Sequence, residues 1–335
     1  MPIPAVPLGS RSEEIATTSD VIACIDRAEQ ITWLLPHARA LAAALGRPIT
    51  LLQVLEVEEP KPARPDPVEW DLRRHEARRA LGDSIERADR LSPRPSIALS
   101  EGHAADAICR YSRAQADGLV VMGTTGQQGR RRRIGGTTHD VILHAPGPVL
   151  LVPFEASPPP NRYQRILVPL DGSCWAESVL TIAARLARTA GAEIVLAHVV
   201  PRPELTEIHP PEAEDIALQG LLIERNERAA RNYLEGIRSR LAAMGLRVRV
   251  LSERAEDVRT GLGALIGREH VDLVVLSARG QGSKRHGDLP YGSVSAYLMT
   301  HSAAPLLILQ SGQANGDPAG AGLHEEVRLP RASLA

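Results

Sequence analysis

One apolar hexad occurs twice in this chain. Val271-Asp-Leu-Val-Val-Leu276 repeats Asp117-Gly-Leu-Val-Val-Met122, and the pattern around each copy repeats with it. A run this short and apolar, bounded by turn-forming residues, reads as a buried strand. Three more strands precede the first copy, at Asp20–Asp26, Ile49–Leu55 and Ser96–Ser100, and Gly147–Pro153 follows it. Helical periodicity fills the gaps, over 30–45 (Ile31, Leu34, Leu35, Ala38, Leu41 and Leu45, closed by Gly46), 68–91, 103–115 and 136–145. The second half repeats the programme, with strands at 165–171, 193–200, 246–251, 271–276 and 304–309. Its helices span 174–190, a long segment ending near Leu241, 255–269, and a segment after Gly292-Ser293.

Strands alternating with helices of this length predict βαβ units and a mostly parallel sheet. Internal duplication of one unit explains the repeat better than two unrelated domains. The expected fold is therefore α/β, with two tandem doubly wound domains, each a five-stranded, mostly parallel sheet flanked by helices. A length of 335 residues suits two ordinary domains. We place them at 19–153 and 165–310, joined by a stiff linker at 154–164 centred on Pro158-Pro-Pro160. The small, polar segment 311–335 is expected to be a disordered tail.

The glycines carry most of the functional signal. Behind the first hexad come Gly123, Gly126, Gly136 and Thr137, spaced G-x2-G-x9-G-T. Glycines at the carboxyl end of a strand let the backbone turn tightly and approach a ligand closely. A glycine and hydroxyl at the next helix start leave free N–H groups and a positive dipole end, which suit a phosphate. No G-x4-G-K-[ST] sequence occurs, and the two lysines are Lys61 and Lys284, so this is not a P-loop. The second copy offers Gly280 and Gly292-Ser293, with Ser277 in place of the first glycine and eleven residues, not nine, between Gly280 and Gly292. Arg130–Arg133 inside the first loop suit either a solvated face or the screening of a phosphate.

Composition narrows the remaining classes. A net charge of −1 argues against a general polyanion binder, so nucleic acid is not expected as a partner. No apolar run approaches the roughly 20 residues of a membrane helix. Residues 1–18 lack the pattern of a secretory leader, and three scattered cysteines form no CxxC pair, so a cytoplasmic location is expected. The eleven histidines show no metal-ligand spacing, G-x-S-x-G is absent, and no carboxylate pair is placed for acid–base work. Neither catalytic residues nor a metal site are assigned. Trp33, Trp70 and Trp175 sit in helical patterns and read as core or interface anchors.

A strand ending in Asp, four further strands, and G-x2-G-x9-G-(S/T) after the fourth resemble the universal stress protein domain. Here the pattern occurs twice, over about 20–153 and 164–310. In the nucleotide-binding branch, the strand-one Asp and a backbone position near the end of strand two meet adenine. The glycine loop and the hydroxyl after its last glycine hold ribose and phosphates. The resemblance implies Asp26, Val54, Met122, Gly123, Gly126, Gly136, Thr137 and Thr138 in the first domain. In the second it implies Asp171, Val199, Gly280, Gly292, Ser293 and Ser295. It also implies that strands one and four are neighbours. The first copy departs from the family at Arg27-Ala28-Glu29, which follows its Asp; the second keeps Asp171-Gly172-Ser173 but stretches its loop.

The expected function is that of an ATP-binding stress-response sensor or regulator, with or without Mg2+, and without committed catalysis. A protein-interaction module that binds no nucleotide, and a slow ATPase or nucleotidyl transferase, are the alternatives. The two domains are expected to pair as a pseudo-dimer through their last strands, 148–152 and 305–309, because an unpaired apolar edge strand invites association. The same physics leaves open a homodimer of complete chains.

Overall fold

The protein is represented by a computed structural model, which describes residues 19–56, 67–88, 94–116, 118–124, 134–154, 156, 162–203, 213–280 and 291–310. The first half forms β1 (Val21–Cys24), β2 (Ile49–Leu55), β3 (Ser96–Glu101), β4 (Leu119–Thr124) and β5 (Val149–Pro153). Its helices are α1 (Ile31–Leu45), α2 (Pro67–Ala88), α3 (Ala104–Ala114) and α4 (Gly136–His144). The second half forms β6 (Arg165–Pro169), β7 (Glu193–Pro201), β8 (Arg247–Ala255), β9 (Leu273–Ser277) and β10 (Leu306–Leu309). Its helices are α5 (Cys174–Glu177), α6 (Leu180–Ala190), α7 (Ala213–Ala243), α8 (Val258–Arg268) and α9 (Ser293–His301).

All ten strands join one sheet in the order β3-β2-β1-β4-β5-β10-β9-β6-β7-β8. Pairing is parallel within each half, and the halves meet where β5 and β10 run antiparallel, Leu151 opposite Leu306 and Leu150 opposite Leu307. The α/β class, the five strands per half and the mostly parallel sheet are as the sequence predicts. In each half the order reverses between the first strand and the fourth, β1 beside β4 and β6 beside β9. Ligands bind at such switch points in doubly wound sheets, outside the carboxyl ends of the strands.

Each central strand is buried on both faces, which is why its sequence is continuously apolar and not alternating. Val21, Ala23, Val121 and Val168 face one layer with α1 and α6, while Ile22, Val120 and Leu167 face the other with α3, α4, α8 and α9. Tyr163, within the segment read as linker, is only 2% exposed and belongs to the first of these cores. Its hydroxyl lies 2.9 Å from Nδ1 of the buried His37 in α1. Asp272 accepts from the backbone N–H groups of Gln164 (2.6 Å) and Arg165 (2.9 Å), pinning the entry to β6 against β9.

The clearest departures from the sequence reading concern two helical segments. The helix expected over 174–190 divides into α5 and α6, with Ser173 capping the first piece by accepting from the Ala176 N–H. Strand β8 runs on to Ala255, and α8 begins only at Val258 because the Asp257 carboxylate accepts from the N–H groups of Arg259 and Thr260. Carboxylate N-caps of this kind fix a helix start more firmly than apolar periodicity does. Cys24, Cys109 and Cys174 are free thiols. Among the described residues no helix is long and apolar enough to cross a membrane. The 311–335 segment lies outside the described residues.

Candidate functional site

The second domain brings its predicted residues together. Asp171 follows β6, where Leu170 is buried and hydrogen-bonded to Ala197 O of β7. Gly172, at φ +80°, supplies the left-handed turn there, and a residue with a Cβ would be strained at that angle. Asp171 Oδ1 then accepts from the Ser173 N–H (2.9 Å) and from the Ser173 hydroxyl (2.6 Å). The other carboxylate oxygen lies against Gly280, where a Cβ would come within 2.5 Å of Oδ2. A side chain at 280 would therefore displace the Asp171 carboxylate from the neighbouring strand. Gly292 in turn lies close to the Gly280 backbone, and its N–H donates to Ala278 O at 2.8 Å.

From Gly292, in extended conformation at φ −68° and ψ 156°, helix α9 begins. Ser293 is exposed on its first turn. Ser295 is 5% exposed, and its hydroxyl donates to Ser277 O (3.0 Å), so it ties the helix start to the end of β9. Val199, in β7, is 3% exposed and packs in the core beside Gly261 of α8, so what it can offer at the strand end is backbone. Asp171, Gly280, Gly292 and Ser293 thus line one edge of the sheet, at the carboxyl ends of β6 and β9 and the amino end of α9.

The first domain places the corresponding residues differently. Asp26 follows the buried Ile25, yet its side chain is 82% exposed and lies 3.7 Å from the equally exposed Arg27. The Gly-Ser turn is replaced here by a single 3-10 turn, Ala28–Gln30, with the Gln30 side chain accepting from the Asp26 N–H. Met122 is buried in β4 opposite Leu151, and Val54 is half-buried near the end of β2. Gly123 permits a close approach, as predicted, but what approaches is Trp33 of α1. A Cβ at Gly123 would overlap Trp33 Cη2 and lie 3.0 Å from Cζ2 and 3.1 Å from Cζ3. Gly126 and Arg130–Arg133 lie outside the described residues.

The start of α4 also shifts the correspondence between the copies. The sequence reading matched Gly136-Thr137 with Gly292-Ser293. In the structure the residue capping α4 is Gly135, at φ −65° and ψ 153°, nearly the backbone conformation of Gly292. The helix ends agree, with Ala145 and Ser302 as C-caps, as do the buried pairs Val141-Ile142 and Leu298-Met299. Gly136 therefore stands where Ser293 stands, and the buried Thr138 stands where Ser295 stands. Thr137, half-buried, is one residue further along. A doublet of glycines gives two equally good alignments, and periodicity could not choose between them. Trp33 carried a signal too, as a bulky residue in a helix facing a glycine strand, but its target depends on three-dimensional register.

Fold and site together define a tandem α/β protein, two copies of one doubly wound domain with Asp and Gly residues converging at a switch point. A family model for the universal stress protein family matches residues 18–153 and 162–310, and the chain belongs to that family, with its domain present twice. Among solved structures it is similar to a universal stress protein from Archaeoglobus fulgidus DSM 4304, at 18% identity and TM-score 0.60, over 86% of this chain and 98% of that one. It is also similar to a protein described as functionally unknown from Pseudomonas aeruginosa PAO1, at 14% identity and TM-score 0.54, over 89% of this chain and 94% of that one. At such identities the likeness is one of fold. A search of the curated proteins returned no match.

Proposed function

We propose that this universal stress protein binds an adenine nucleotide, ATP with or without Mg2+, and acts as a cytoplasmic stress-response sensor or regulator. The observation that carries the reading is the convergence of Asp171, Gly280 and Gly292 at the switch point of the second domain. The residues there fit the ligand. A carboxylate held by Ser173 can accept from an adenine or ribose donor, and the backbone at Val199 can meet the base. The first turn of α9 leaves N–H groups without helical acceptors at its positive dipole end, beside the exposed Ser293 hydroxyl, which suits phosphate oxygens. Ser295 acts by holding its helix start to the sheet.

A bound nucleotide would supply a switchable occupant, and the chain's own residues would bind and orient it. Equilibrium dialysis with ATP tests this on the wild type and on Gly280→Val, whose side chain would collide with Asp171. Saturable binding by the wild type, weakened at least tenfold in the variant, is expected. Equal binding by both, or none by the wild type, would remove the proposal.

A protein-interaction role is the second reading. Ile216, Leu218 and Leu221 are 57%, 52% and 64% exposed on the early turns of α7, more apolar surface than a solvated helix needs. Wild-type protein that binds no ATP would favour this reading.

A further inference from the structure

We infer that nucleotide binding is confined to the second domain, because the first domain turns Asp26 to solvent, has Gly136 where the second has Ser293, and packs Trp33 against Gly123 at the end of β4. The inference rests on the adenine-nucleotide reading above. Gly123, the first glycine of the better-spaced motif, meets the edge of the indole's six-membered ring, with Cη2 overlapping where its Cβ would stand and Cζ2 and Cζ3 at 3.0 and 3.1 Å from it. Non-bonded carbon atoms settle about 3.5–4 Å apart, so a ring at this range leaves no layer for a sugar or a base on that face of the glycine. Phe154, just beyond β5, packs edge-on against the same indole at 5.6 Å between centroids and holds it down.

In the second domain Ser277, itself buried, stands where Gly123 stands, and the residue above it is smaller. Val21 and Ile49 pair as Ile166 and Ile194 do, so the helix positions match residue for residue, and Trp33 corresponds to Ser178. Ser178 is small, and its hydroxyl turns back to the Trp175 carbonyl at 2.7 Å. Two further differences point the same way. Asp26 is directed to solvent with Arg27, whereas Asp171 is held by Ser173 against Gly280. The helix start of the first domain also offers Gly136 where the second offers the Ser293 hydroxyl. A glycine motif that reads as complete in sequence thus accommodates a side chain of the protein itself.

Isothermal titration of the full-length chain with MgATP tests the inference by stoichiometry. One equivalent per chain is expected for the wild type. Ser293→Glu, an exposed substitution that suits a helix N-terminus and should leave the fold intact, is expected to abolish binding by repelling phosphate. Two equivalents in the wild type, or one full equivalent surviving in Ser293→Glu, would overturn the inference while leaving the nucleotide reading in place. No binding by the wild type would overturn both. As a second readout, Trp70 and Trp175 are replaced by Phe so that Trp33 alone emits. Its emission should be unchanged at saturating MgATP, and a shift or quench on titration would put the ligand against the indole and contradict the inference.

Discussion

Two motif glycines, Gly123 and Gly280, stand at different places in the loop, since Ser277 takes the position of Gly123, and they serve different neighbours. Each allows a group from the adjoining segment to lie against the backbone, an indole in the first case and a carboxylate in the second. Gly123→Ala should therefore destabilise the protein by about 1–3 kcal/mol, the usual range for an added methyl in a filled core. A urea titration would measure it, and the same change in a Trp33→Leu background should be less costly, since residues in contact do not add independently. Equal losses in both backgrounds would mean the indole is not what the methyl meets. That something lies close against both positions was legible in the sequence, because glycines just beyond a strand advertise close approach. Which group approaches was not, because the spacing of Trp33 in α1 says nothing of its height over β4.

At the scale of elements, strands and helices were read closely where hydrophobic period sufficed, and less well where polar capping decided. Asp257 sets a helix start that apolar spacing had placed elsewhere, the helix read over 174–190 breaks into two pieces, and the Gly135-Gly136 doublet hid the register of α4. The join between α1 and the linker carries its own prediction. Burial lowers the pKa of His37 from its ordinary value to about 4, and its Nε2 has no hydrogen-bond partner among the described residues. The folded state thus favours neutral His37, whose Nδ1 can accept from the Tyr163 hydroxyl. Because the unfolded chain binds the proton first, this stability is present above pH 6.5 and is lost as pH falls toward 4. The loss is on the order of 3 kcal/mol, from about 1.4 kcal/mol for each pH unit. Urea midpoints between these pH values should fall more steeply for the wild type than for His37→Gln. Parallel slopes would mean that His37 does not resist protonation.

For the whole molecule, the sequence announced a duplication and named the edge strands, and the ten-stranded sheet joins the copies through those strands. Leu306, Leu307 and Ile308 are nearly fully buried with β5 beside them. A second domain produced alone, residues 162–310, would expose that edge, and it should associate into dimers through β10. Sedimentation velocity would show this, and a stable monomer would mean that the edge is protected in some other way. The asymmetry of the two sites was the least legible feature. Motif spacing favoured the first domain, whereas side-chain geometry favours the second. The central claim is that an adenine nucleotide belongs at the second switch point. A crystal structure of the full chain grown with MgATP tests it most directly. The account predicts the base and ribose beside Asp171 and Gly280, the phosphates at the start of α9, and Trp33 still covering Gly123. Nucleotide lying against Gly123 with Trp33 displaced, or an empty second site at saturating MgATP, would contradict it.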